Sequence, residues 1–231
     1  MVRIEQVPQE MRDLRGTLDE LARTALRHPD DPVAVEHLVE HAARLSGALP
    51  EEREETVRDT LLSVARSLDA RGTGTRGHAD RVGQLARQMA EEMGCGEDET
   101  RTIELAARLH GLEALGAGEL EPIHSLRGVS EVIRGHRMLT EGPTPGRRAR
   151  ASIPRGADVV TLANAYDLMV SGAGPGRRRG RAAAVAELRV TAGKLYRPDV
   201  MNALAQVVAP RRMAVGRRGT DDGQPIEEGA A

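Results

Sequence analysis

"HADRVGQLARQMAEEMG", residues 78–94, places Val82, Leu85, Ala86, Met89, Ala90 and Met93 at three- and four-residue spacing. That period puts all six side chains on one stripe of an α-helix, with arginine and glutamate on the remaining faces. The turn "GCGEDE" follows at once, and a second helix runs through Ile103, Ala106, Ala107 and Leu109 to His110. Further helices are expected at about 127–139, 154–171, 181–193 and 197–208. Between them, "TEGPTPGRRARAS" and "SGAGPGRRRG" are rich in Gly, Pro and Arg and read as surface loops.

Toward the N-terminus the same period continues. Met11, Leu14, Leu18, Leu21, Ala22 and Ala25 share a helix face, and His28-Pro29-Asp30-Asp31-Pro32 breaks it. A second helix is expected over about 32–47. "ALPEEREE" then supplies the proline and carboxylates suited to a helix N-terminus, and a third helix carries Leu61, Leu62, Val64, Ala65 and Leu68 before "ARGTGTRG" ends it. No segment alternates with period two, and there is no internal repeat. The fold class is therefore all-α, with residues after Pro210 losing periodicity and expected to be disordered.

Composition narrows the function. Phe and Trp are absent and tyrosine occurs only at 166 and 196, so the core must be built from Leu, Val, Ile, Met and Ala. Aromatic platforms for stacking single-stranded nucleic acid are excluded. Cys95 is alone, which rules out an intramolecular disulfide and a cysteine-rich zinc cluster, and suits a reducing cytoplasm. The N-terminus "MVRIEQVPQEMRDLRG" is charged from its third residue, and no apolar run approaches the roughly 20 residues needed to cross a bilayer. A cytoplasmic protein with no membrane association is expected.

The net charge of −2 conceals a division. Residues 1–70 carry nine basic and fifteen acidic groups, whereas 147–218 carry fifteen basic and four acidic. The basic third could attract an anion, nucleic acid or an acidic protein surface, or lean on the acidic N-terminal helices of its own or a neighbouring chain. The last is the expectation. The arginines lie in Gly/Pro loops and not along a recognition helix, so specific nucleic-acid binding is not expected.

Seven histidines are present. "HLVEH" at 37–41 spells an inverted zincin motif, yet it sits in a short amphipathic helix and reads as solvent-exposed polar positions. His78, His110 and His136 differ, each standing beside a turn or helix end. With their flanks, "RGHADRVGQLARQMAEEMG", "LAARLHG", "VIRGHR", "IPRGADVVTLANAYDLM" and "AGKLYRP", they resemble in order the HD-GYP branch of the HD phosphohydrolase superfamily. The resemblance runs from about residue 60 to 208. It implies an HD-domain-like helical bundle at 59–208, a helical extension at 1–58 and a tail at 209–231.

In that family, two or three metal ions, usually iron or manganese, activate water to cleave cyclic di-GMP or a related phosphodiester. Such chemistry needs carboxylates that neutralise and bridge the cations. Here His78 matches the first histidine and His110 the histidine of the His-Asp pair, but Gly111 stands where the aspartate belongs. Glu113-Ala114 replaces Gly-Lys, and "EALGAGELEPIHSLRG" is shorter than the family's segment, leaving His124 as an uncertain substitute for another ligand. His136 begins a His-His-Glu triplet that continues with Arg137 and Met138. Asn164 occupies the place of a metal-binding aspartate, although Asp167 remains, and the Gly-Tyr-Pro signature has become "EGPTPG".

A site for two cations is therefore not expected, since charged oxygen has been replaced by Gly, Asn and Met. The three histidines either converge on a single divalent metal (zinc, iron or manganese), with water completing the shell, or remain as neutral relics. No acidic partner that would orient the rings is evident in the sequence. Tyr166 and Asp167 are expected to be structural, satisfied locally.

The expected function is a catalytically degenerate HD-GYP-like domain acting as a signalling or scaffold module through protein contacts. Two alternatives stand beside it: a residual metal-dependent phosphohydrolase, and a non-catalytic cyclic-dinucleotide sensor. The sensor would hold phosphate with the arginine-rich loops, at Arg147 and Arg148 and at Arg177 and Arg178. A protein partner or a homodimer through the N-terminal helices is also expected.

Overall fold

The computed structural model describes residues 9–27, 33–34, 37–38, 51–71, 76–114, 126–141, 147–192 and 195–209. Among them nine helices are delimited: α1 (Gln9–Arg27), α2 (Glu51–Arg71), α3 (His78–Glu92), α4 (Glu97–Ala114), α5 (Arg127–Thr140), α6 (Arg147–Ser152), α7 (Arg155–Ser171), α8 (Arg181–Val190) and α9 (Pro198–Val208). The described residues contain no strand, only an isolated parallel bridge between Ala192 and Tyr196. No described helix is long and apolar enough to cross a membrane.

The stripe in 78–94 does what its period demands. Val82, Ala86, Met89 and Ala90 are fully buried, and α3 packs most extensively on α4, whose Ile103, Ala106, Ala107 and Leu109 are likewise buried. α7 reads differently. Every residue from Gly156 to Ala163 is buried, which makes it the central helix of the bundle, in contact with α3, α4, α5, α8 and α9. Alanine on these faces lets the helices close up. Gly135 of α5 goes further: a Cβ there would lie 2.7 Å from the Ala157 Cβ, so only glycine permits this crossing of α5 over α7.

Three expectations are revised. The stretch at 147–152 is a short helix and not part of a loop, as Arg and Ala, both strong helix formers, dictate. The helix expected at 181–193 stops at Val190, where Thr191 closes its end with an N–H bond to the Leu188 carbonyl. Helix 32–47 is described only at 33–34 and 37–38, both helical; the remainder, and the tail after 209, lie outside the described residues.

Third, among the described residues the basic third does not pack extensively on α1 or α2 of its own chain. α2 packs on α1, α4 and α3, whereas α8 packs on α7 and α9. The third's own four acids are paired instead: Asp158 with Arg150 and Arg197, Asp167 with Arg81, Glu187 with Arg179, and Asp199 with Arg155. Asp158 is fully buried. It also accepts the Arg197 backbone N–H, while Arg197 Nη2 donates to the Ile153 carbonyl at 3.0 Å. This clasp ties α6 and the start of α9 to the first turn of α7.

Candidate functional site

Three helices deliver the three histidines to one place. Gly77, at φ +70° and so in the region glycine favours, turns the chain so that His78 opens α3. Asp69 of α2 accepts the Ala79 N–H at 2.6 Å, capping α3 from a neighbouring helix. His110 sits in the last turn of α4, and His136 is brought against α7 by the close crossing at Gly135. The ring centroids of His78 and His110 are 5.4 Å apart, as are those of His110 and His136, both edge-on. The sequence-expected trio is therefore assembled.

Hydrogen bonding fixes how each ring is held. His78 Nδ1–H donates to Asp167 Oδ2 at 2.7 Å, and His110 Nδ1–H to the Ala107 carbonyl at 2.7 Å. His136 Nδ1 lies 2.8 Å from Thr161 Oγ1, whose single proton is donated to the Ala157 carbonyl at 2.7 Å. The hydroxyl must then accept from His136 Nδ1–H. In their neutral forms all three rings consequently carry the lone pair on Nε2. Burial pushes His110 down to about 4, its bond to Ala107 opposing and the His78 charge assisting. Burial, with His110 as a second cause, pushes His136 down to about 3. Both are neutral at neutral pH.

Asp167 corrects the expectation that no acidic partner orients the rings. It is buried, bonds His78, and is clamped by Arg81, whose Nε and Nη2 reach its two oxygens at 2.6 and 2.9 Å. Burial alone would raise the carboxyl, but the hydrogen bonds from His78 and Arg81 outweigh it and hold Asp167 below its ordinary value. The available signal was the spacing His78-x-x-Arg81, one helical turn, which lets both side chains converge on one carboxylate. Tyr166 is buried, while the partners of Asp167 lie not locally but on α3, 86 and 89 residues away in sequence.

The donors a metal pair would need are absent from this set. Gly111 is exposed, and a Cβ built on it meets nothing within 4 Å, so this position contributes no side-chain oxygen to the cleft beside His110. Asn164 lies on α7 one turn from Thr161 and one from Asp167, on the face turned to the histidines. Its Oδ1 is buried with no hydrogen-bond partner among the described residues. Three imidazole lone pairs and one amide oxygen bring no negative charge of their own to offset a pair of cations. Among the described residues no three His, Cys, Asp or Glu side chains are grouped so that they could hold a metal ion. The cleft beside His78, His110 and Gly111, about 180 Å³ and bordered by Asp69 and Arg108, does not fit the family's metal pair.

Arg147 and Arg148 open α6, and Arg150 of that helix is committed to Asp158 and the Leu195 carbonyl. Arg178, Arg179 and Arg181 instead line a cavity of about 590 Å³ together with Arg81 and Asp167. Arg177 is exposed beside it. Within the cavity, Arg178 Nε donates to the Val170 carbonyl at 2.7 Å and Arg179 is paired with Glu187. In the inverted zincin stretch His37 is exposed, and His41 lies outside the described residues, as does His124.

The chain is 26% identical over 206 residues to the cyclic di-GMP phosphodiesterase response regulator RpfG of Xanthomonas campestris pv. campestris, covering 75% of this chain and 54% of that protein. It is 27% identical over 177 residues to a cyclic di-GMP phosphodiesterase of Thermotoga maritima, covering 64% of this chain and 47% of that protein. The chain thus spans about half the length of the curated relatives it matches. No family model matches it, and no solved structure does.

Proposed function

We propose that this chain is an HD-GYP-like domain that has lost phosphodiesterase chemistry and serves cyclic di-GMP-type signalling as a binding module, acting through protein contacts. The observation that carries the reading is Gly111: beside His110, where charged oxygen would be required, there is an open position with no side chain. Similarity to two cyclic di-GMP phosphodiesterases supports the scaffold's descent. The hydrogen bonds of His78, His110 and His136 hold three imidazole rings in an ordered cleft without supplying the negative charge that a water-activating pair of cations needs.

The test is hydrolysis of cyclic di-GMP by the purified chain with added manganese or iron, read beside its metal content. We expect no turnover above buffer and no near-stoichiometric metal. Turnover that disappears in His110→Ala would overturn the reading.

A second reading has its own observation. Arg81, Arg178, Arg179 and Arg181 converge on one cavity of a size suited to a small ligand, which favours a non-catalytic sensor holding phosphate by guanidinium. Calorimetry with cyclic di-GMP at low salt should give heat that is lost in Arg178→Ala combined with Arg181→Ala. No heat would dismiss it.

A further inference from the structure

The surface of α8 and α9 that faces away from the bundle is shaped for a partner. α8 turns Ala184 and Leu188 into the core and leaves Ala182, Ala183 and Ala186 exposed, with Val190 at its end 82% exposed. Between α8 and α9 runs a groove of about 620 Å³ whose floor is Ala182, Val185, Ala186, Ala205 and Val208. These are short side chains, so another backbone can approach closely.

Arg181 and Arg189 stand at the two ends of that floor. Eight residues apart on one helix, they are separated by about 12 Å along the axis. Neither has a carboxylate partner among the described residues, and all four acids of 147–218 are committed elsewhere. The countercharge for this rim has to come from outside the basic third. The chain's own α1 and α2 pack on one another on a different side of the bundle.

We propose that this groove docks an amphipathic helix of a partner protein, one that carries carboxylates seven or eight residues apart on either side of an apolar stripe. Two turns of such a helix span the distance between Arg181 and Arg189, and side chains at the third and fourth positions between its acids cover the alanine and valine floor. Arg181 and Arg189 then set register and orientation, while the apolar floor supplies the contact. The chain's own acidic tail is a poor occupant, because Asp221, Asp222, Glu227 and Glu228 enclose only Pro225 and Ile226 as apolar bulk. The proposal rests on the reading of this chain as a protein-binding module.

The test uses the full chain and two labelled, designed helical peptides, titrated by fluorescence polarisation. One carries two glutamates seven residues apart around leucines; the other has lysine in place of each glutamate. The acidic peptide should bind at least tenfold more tightly. Arg189→Glu should weaken it tenfold and reverse the preference between the two peptides, a reversal that misfolding cannot produce. Ala186→Glu should abolish binding with the thermal midpoint unchanged.

Equal binding of the two peptides, no binding of either, or binding indifferent to both variants would overturn the proposal. So would a dimer in sedimentation that dissociates in Ala186→Glu, which would give the groove to a second copy. A tenfold gain in peptide affinity on neutralising Asp221, Asp222, Glu227 and Glu228 would overturn it in favour of the tail. Turnover of cyclic di-GMP would end the reading of lost chemistry and leave the groove intact, whereas peptides that fail to bind would leave the cleft reading standing.

Discussion

α7 carries two buried aspartates nine residues apart, and they serve opposite purposes. Asp158, fully buried in its first turn, is held between the guanidinium groups of Arg150 and Arg197 and closes three helices together. Asp167, 4% exposed near the other end, is held by Arg81 and passes its remaining hydrogen bond to His78. At the first end both partners are permanently charged and the network is internal to the scaffold. At the second, one partner is an imidazole whose other nitrogen faces a cleft lacking any counter-donor at Gly111. The ion pairs that hold the helices involve neither Gly111 nor Asn164, so the scaffold is separable from whatever stands at those two positions.

If that separation is real, the largest effect lies at the scaffold end. Asp158→Ala leaves two partly buried guanidinium groups without their carboxylate, and unpairing a buried ion pair costs about 3–5 kcal/mol. Urea denaturation should show a loss of that size, and a loss below about 1 kcal/mol would place the clasp among ordinary surface pairs. Gly135→Ala comes next, at about 1–3 kcal/mol, because its new methyl would overlap the Ala157 Cβ. The same variant should disturb the His136 ring resonances, since this crossing is what brings His136 to Thr161.

Much of this was legible beforehand and the rest was not, for physical reasons. Helical period revealed α3, α5, α7 and α9 to within a residue or two, because one apolar face per helix must meet the core, whereas α4 runs four residues past the His110 at which it was expected to end. The trio His78, His110 and His136 was legible through its flanking motifs. Asp167 as the orienting partner was not, since its 89-residue separation from His78 becomes a contact only after α3 has packed on α7. The pairing of the basic third's carboxylates was hidden likewise: fifteen cations suggested a distant acidic partner, but in three dimensions each of the four carboxylates meets an arginine, Asp167 meeting Arg81 of α3.

At the cleft end, acid should reveal the rings. The folded values of His110, about 4, and His136, about 3, lie below the ordinary 6.5 that applies to the unfolded chain. Between those limits the unfolded state binds protons that the folded state refuses. Stability is therefore complete above pH 6.5 and falls as pH drops toward 4 and then 3, by about 2–3 kcal/mol per pH unit over the steepest part, where both rings contribute. His136→Gln should remove about half of that slope. A wild-type stability flat from pH 6.5 to 4.5 would show that the rings are solvated, and not held neutral in the cleft.

The smallest effect is expected at Gly111 itself. The position is helical and exposed, and a Cβ meets nothing within 4 Å, so Gly111→Ala should stabilise the chain by about 0.5–1 kcal/mol through reduced backbone freedom. Gly111→Asp should be close to neutral, its poorer helix propensity offsetting the gain. Joined to Asn164→Asp, it sets two carboxylates beside three Nε2 lone pairs, and the double variant should retain manganese or iron through gel filtration where the parent does not. Calorimetry and metal analysis of the pair decide the matter. A double variant that folds as well as the parent yet takes up no metal would show that the histidines, and not merely the missing oxygens, have moved out of ligating position.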